Sequence, residues 1–342
     1  MARTIPTRKF RYYVHDGTTD FSFDEPESPA ARPSRWLPFQ TAALWATALV
    51  LLLFPAKVSA ADLKPETLEA WNEYIKAANA DMQQRLKTDR PFLRTDEGPG
   101  RDFKLKNGEI MVSPAGPNIP RRVPSGLIHH WIGAAFIPNT TLHDVLPVVR
   151  DYKRYKEMYH PGVVESKVIT TGAIATGESE DRFSMVLVNK SVVSKTALKG
   201  DYRSSYFCLD DHHWYSLSET MRIQEITGYG TAGQHMLPEG KGTGLIWRMN
   251  SITRFEERDG GVYVELEALV LSRDIPAPLR LVVDPIVRRV SREAMETSLL
   301  QTQKAVRLAP KRGDCDTSEE RRAEGTTCAI SASGASPDRP SR

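Results

Sequence analysis

"ITRFEERDGGVYVELEAL", residues 252–269, decides the fold. Apolar and polar residues alternate on both sides of Asp259-Gly260. Asp-Gly is the preferred pair for a two-residue hairpin turn, where both central residues take positive φ. A period of two makes each flank a strand with distinct faces. A turn at Asp259-Gly260 places Arg254 opposite Glu265 and Ile252 opposite Glu267. The other face carries Trp247, Met249, Ser251, Thr253 and Phe255, opposite Ser272, Val270, Ala268, Leu266 and Val264. That row is the more apolar and is assigned to the interior. Arg254 and Glu265 are assigned to an outer surface in contact with water, where a cross-strand ion pair contributes less than about 1 kcal/mol.

The hairpin runs into "PLRLVVDPIVRRVSREAMETSLLQTQKAVRL", residues 278–308, with apolar residues at spacings of three and four. Asp284-Pro285 reads as an N-cap followed by proline in the first turn. It predicts a short helix, then a long one from about Pro285 to Leu308. Upstream, "GLIHHWIGAAFIP" reads as a strand ending at Pro138. "TTLHDVLPVVRDYKRYKEMYHP" then reads as two short helices, because Pro147 removes a helical hydrogen bond. Four further segments, 162–172, 181–191, 196–209 and 212–227, are rich in β-branched and aromatic residues and are predicted strands. Nearer the N-terminus, Leu68, Trp71, Ile75, Ala78, Met82 and Leu86 mark an amphipathic helix whose stripe must dock on the main domain. A short strand is expected at 109–113. The class is α+β: a curved antiparallel sheet of about seven strands gripping one long C-terminal helix, with an extra N-terminal helix.

This order resembles the START-like (SRPBCC) superfamily with its helix-grip fold. "DVLPVVRDYKRYKEMYHPGVVESKVI" carries the resemblance most clearly, through Asp151, Tyr155, Pro161, Val164 and Ser166. These positions are similar to the helix-to-second-strand element of the cyclase/dehydrase branch. The resemblance spans roughly residues 125–308 and suggests an exported bacterial branch. It implies a cavity between sheet and helix that takes a hydrophobic small molecule or lipid. Residues 61–124 form an N-terminal helix and extension without counterpart in minimal members.

The termini differ in character. Residues 1–36 are polar, charged and proline-rich and read as disordered, as does the tail 309–342. Between 37 and 60 an apolar run from Ala42 to Phe54 follows Arg32 and Arg35 and ends at Val58-Ser59-Ala60. This reads as an export signal or an uncleaved membrane anchor, placing the folded part outside the cytoplasm, in the periplasm or on a membrane facing it. Cys315 and Cys328 in the tail could pair in an oxidising compartment, which would leave Cys208 as a small buried residue. Net charge is only +3, and no basic stripe is interleaved with aromatics, which argues against nucleic acid.

The triplet His-His-Trp occurs twice, at His129-His130-Trp131 and His212-His213-Trp214. Adjacent strand residues face opposite ways, so neither histidine pair can enter one pocket. No metal site and no cofactor is expected, and the histidines read as pocket-lining or structural residues. "GYGTAG" (228–233) opens no helix and reads as a loop rather than a dinucleotide fingerprint. Tyr152, Tyr155 and Tyr159 lie at helical spacing and read as packing or as a ligand platform.

The expected ligand-binding residues are His129, Trp131, Tyr155, Trp247, Met249, Phe255, Val264 and Leu266. The expected function is binding of a hydrophobic small molecule or lipid, with membrane association through the N-terminal segment. Two alternatives stand beside it. One is a cyclase/dehydrase-type enzyme using a pocket His or Tyr. The other is an envelope scaffold whose cavity is filled by its own side chains.

Overall fold

The computed structural model describes residues 61–172, 178–190 and 195–310. The N-terminal stretch with its apolar run, and the tail with Cys315 and Cys328, lie outside the described residues.

In chain order the elements are β1 (Ala61–Asp62), α1 (Pro65–Arg85), α2 (Arg101–Lys106), β2 (Met111–Pro114), β3 (Arg121–Val123) and β4 (Gly126–Pro138). Next come α3 (Leu142–Val149), a 3-10 turn at Tyr152–Arg154, α4 (Tyr155–Met158), β5 (Val163–Thr170), β6 (Glu178–Lys190), β7 (Lys195–Cys208) and β8 (His213–Thr227). The chain continues through β9 (His235–Met236), β10 (Lys241–Gly242), β11 (Arg248–Arg258), β12 (Gly261–Arg273) and α5 (Arg280–Leu308). The main sheet has the order β2-β4-β12-β11-β8-β7-β6-β5, every neighbour antiparallel. β1 and β10 form a separate small pair, so the glycine-rich stretch "PEGKGTG" (238–244) is partly strand-paired.

The hairpin register matches the sequence reading. Arg258 faces Gly261, Arg254 faces Glu265 and Ile252 faces Glu267. Asp259 and Gly260 take φ of 56° and 73°, as a type I′ turn requires.

The sheet is covered on both faces. On the inner face, Met295, Leu299 and Val306 of α5 pack with Trp131, Ala135, Ile137, Phe255 and Val264. Gly133 makes this possible, since a Cβ there would lie 2.6 Å from the Met295 sulfur and 2.8 Å from Leu299 Cδ1. On the outer face α1 docks through Trp71 against Ile128, Leu269 and Leu271, and through Met82 against Tyr215 and Ile252. Leu93 and Leu105 cover Ala134, Phe136 and Tyr263. A large antiparallel sheet closed by a long C-terminal helix is a helix-grip arrangement.

Four sequence readings are corrected. Trp247 lies on the outer face, packed with Trp71. It precedes the first residue of β11, so strand alternation does not govern its direction. Arg254 and Glu265 do face outward but are wholly buried, because α1 and the segment after it seal that face. α5 begins at Arg280 rather than Pro285, so Asp284 is no cap. Pro285 sits inside the helix, and its missing N–H leaves the Leu281 carbonyl without its helical donor. Finally, Cys208 is disulfide-bonded rather than left alone as a small buried residue.

Candidate functional site: the inner face of the sheet

The two faces of the central strands are sealed unequally. Glu265, Glu267, Leu269 and Leu271 on the outer face of β12 are at most 1% exposed. Their inner neighbours Leu266, Ala268 and Val270 are half-buried. The same holds on β11, where Ile252 and Arg254 are buried outward while Met249, Ser251 and Thr253 are half-buried inward. α5 explains the difference. Its buried residues all fall from Met295 onward. Its first half exposes Leu281, Val282, Ile286 and Val290, with Leu281 at 90%. The second half clamps β4, and the first half leaves the middle of the inner face accessible.

Register shows what lines that opening. One row runs Trp131, Ala268, Ser251, Ser218, Ser204, Asp181 across β4, β12, β11, β8, β7 and β6. The next runs Gly133, Leu266, Thr253, Ser216, Tyr206, Ser179. Small hydroxyl side chains thus form the middle of the floor, and aromatic rings frame it. Sequence reasoning missed this, although the alternation in "YRSSYF" and "YSLSET" carries the signal. The inner face is therefore more polar at its centre than the hairpin alone suggested.

The expected ligand residues divide as follows. Trp131, Phe255, Val264 and Leu266 come together around α5. Met249 and Tyr155 join a second inner cluster with Tyr152, Phe183 and Tyr202. The Tyr155 hydroxyl donates to the Val149 carbonyl, and its ring meets those of Tyr152 and Tyr159, so Tyr155 is packing. Trp247 is not part of the inner face. His129 is buried on it, with Nε2 3.0 Å from the Ser272 hydroxyl. Burial pushes the His129 imidazole down to about 4, Asp284 opposing and Arg288 adding to the shift. His129 is therefore neutral near pH 7.

His130 faces the opposite way, as alternation requires. Its Nε2 lies 2.7 Å from Glu267, and its Nδ1 2.8 Å from the Tyr74 hydroxyl of α1. His213 sits at the outer rim beside Asp210 and Glu256. Among the described residues no three His, Cys, Asp or Glu side chains converge on a metal position.

At the β6 end of the floor Asp181 is fully buried. It accepts from Arg150 Nε and Nη2 at 2.9 and 2.8 Å, from the Tyr152 hydroxyl at 3.0 Å and from the Gly172 amide at 3.0 Å. Every lone-pair direction is thus occupied. The cluster ties the end of α3 to β6. Burial holds the Tyr152, Tyr202 and Tyr206 hydroxyls protonated far above neutral pH. Among the described residues three buried polar atoms of the inner face have no partner: the Trp131 Nε1, the Tyr202 hydroxyl and the Ser179 hydroxyl.

Two cavities lie away from this face. One of about 140 Å³ lies between α1 and the outer surface of the sheet, beside Ile75, Asn79, Leu217 and Asn250. Another of about 250 Å³ adjoins the end of α5 near Thr140 and Arg307. No helix among the described residues is long and apolar enough to cross a membrane.

No protein-family model matches the chain, and no curated protein matches it. Solved structures do resemble it. A STAR-related lipid transfer protein from Xanthomonas axonopodis is 17% identical, over 57% of this chain and 98% of that one, with a TM-score of 0.36. Human STARD10 is 10% identical, over 65% of this chain and 81% of that one, at 0.35. The Zhui aromatase/cyclase from Streptomyces is 11% identical, over 53% and 97%, at 0.33. At these scores the likeness adds nothing to what the topology itself shows.

Proposed function

We propose that this chain binds a hydrophobic small molecule or lipid against the inner face of its sheet. The observation that carries this is the unequal sealing at the middle of the sheet: Ile252 and Arg254 of β11 and Glu265, Glu267, Leu269 and Leu271 of β12 are closed off on the outer side, while Met249, Ser251, Thr253, Leu266, Ala268 and Val270 on the inner side remain half-open. Apolar side chains with a few placed polar groups are the usual lining of a ligand site. The exposed apolar first half of α5 stands over the opening, where a bound molecule would cover the inner row.

The enzyme reading is the weaker one. A neutral-pH acid or base needs a pKa near the working pH. His129 lies well below it and the inner tyrosines well above it, and Asp181 is saturated by fixed donors. Location outside the cytoplasm belongs to the same proposal. The apolar run before Val58-Ser59-Ala60 supports it, as does the disulfide at Cys208, a bond that persists in oxidising compartments. Mass spectrometry of organic extracts from the purified protein, with N-terminal sequencing of the mature chain, tests both parts. A co-purifying apolar molecule and a start near Ala61 are expected. A protein that yields no such molecule and binds no apolar fluorophore would sink the binding reading.

A further inference from the structure

Among the described residues the inner face carries three buried hydrogen-bonding atoms without a partner: the Ser179 hydroxyl at the β6 edge, and two that flank the hydroxyl floor, the Trp131 indole nitrogen and the Tyr202 hydroxyl. An unmet buried polar group is costly, and native structures rarely leave one without a function or a partner. Trp131 is 9% exposed and Tyr202 3%. They belong to different inner clusters, at opposite ends of the hydroxyl floor. Trp131 lies on β4 and Tyr202 on β7, four strands away in the sheet order. At about 4.8 Å per strand that is about 19 Å along the sheet.

The chemistry of the two groups narrows the ligand. An indole N–H can only donate, so its partner must be an acceptor atom. The phenol is held protonated by burial and also offers a donor. Charge narrows it again. Along the two inner rows and their neighbours His129, Val270, Met249, Tyr202 and Phe183, the one formal charge the sheet carries among described residues is Asp181, and Arg150 neutralises it. From α5, Asp284 and Arg288 act on His129 with opposite signs. A carboxylate or phosphate would enter the floor without a counter-ion on the sheet, at a large desolvation cost.

Resting on the binding reading above, we infer that the inner face takes an uncharged, elongated apolar molecule bearing oxygen acceptors. Carbonyl, ester or ether oxygens would be held by Trp131 Nε1–H at one end and the Tyr202 hydroxyl at the other. The Ser251 and Ser218 hydroxyls lie on the path between them.

Displacement of N-phenyl-1-naphthylamine by three probes of equal chain length tests this: tridecane, 2-tridecanone and tridecanoate. The ketone should displace the dye at about fivefold lower concentration than the alkane, the value of one net hydrogen bond. Tridecanoate should be weaker than the ketone. Trp131→Phe keeps a smaller aromatic ring and Tyr202→Phe keeps its ring, and both remove the donor. In the double variant, with each probe read against that variant's own dye affinity and circular dichroism confirming a folded protein, the ketone and alkane should become equivalent. The inference is overturned if tridecanoate binds best, or if the ketone preference survives both substitutions. If the dye and all three probes fail to bind the wild-type protein, the binding reading itself fails.

Discussion

Arg254 and Glu267 meet at 2.8 Å with no solvent exposure of either side chain. The same guanidinium holds Glu265 at 3.0 Å, and Glu265 also accepts the amides of Arg94 and Thr95 at 3.0 and 2.8 Å. His130 and Tyr74 extend the chain of contacts to α1. Burial alone would raise the Glu267 carboxyl, but the His130 hydrogen bond and the Arg254 and Arg94 guanidiniums bring it down to about 2. This network fastens the N-terminal extension to the sheet through charges that water cannot reach. It makes residues 61–106 part of the domain.

Arg254→Ala should therefore destabilise the protein by about 3–5 kcal/mol, because two carboxylates would stay buried without their cation. Equilibrium urea unfolding followed by circular dichroism checks this. A loss under about 1 kcal/mol, the value for an exposed pair, would mean that the outer face is open to water.

The pH dependence of stability has a distinct signature at His129. Its folded pKa is about 4 against an ordinary 6.5. Below 6.5 the unfolded chain takes a proton that the folded chain refuses, so stability is full above 6.5 and falls as the pH drops towards 4. The full shift corresponds to about 3 kcal/mol as an upper bound. Glu267 acts lower, losing its contribution between about 4.5 and 2. His213 has the opposite sign. The Glu256 hydrogen bond raises its pKa against the burial that lowers it, with Asp210 adding to the rise, so its contribution fades as the pH climbs above 6.5. Urea midpoints measured from pH 7 to pH 4 should fall in the wild type and fall less in His129→Gln. Parallel curves would place His129 in contact with water.

The Asp181 cluster should behave as a brace. Asp181→Asn leaves the Arg150 guanidinium half-buried without its counter-ion, at a cost of about 3 kcal/mol or more. Binding of an apolar fluorophore by the folded fraction should persist. A variant with unchanged melting temperature that no longer binds would make Asp181 a ligand contact instead.

The hairpin was readable because local chemistry determined it: an Asp-Gly turn fixes the register, and register fixes which residues share a face. The order of strands and the long final helix followed from periodicity in the same way. What was not readable was which face would be covered by what. Arg254, Glu265 and Glu267 looked solvent-facing because charge next to water is the ordinary case. Their burial depends on α1, whose stripe was visible but whose docking face was not. Trp247 failed for a different reason, since alternation stops at the strand end. The hydroxyl floor needs four strands, β11, β8, β7 and β6, in register at once, and no single segment announces it.

Met249 is half-buried on β11 and packs with the inner cluster of Phe183 and Tyr202. A larger ring there fills space a ligand would use. Met249→Trp should weaken binding of N-phenyl-1-naphthylamine by about tenfold or more, with a stability cost of about 1–3 kcal/mol where the added volume meets packed neighbours. Asn79→Trp is the matched control, because Asn79 lines the cavity under α1 on the outer face. Fluorescence titration of both variants distinguishes the two faces. Loss of binding with Met249→Trp alone locates the ligand on the inner face. Loss with Asn79→Trp alone would move the site beneath α1, and the open inner row would then need another explanation.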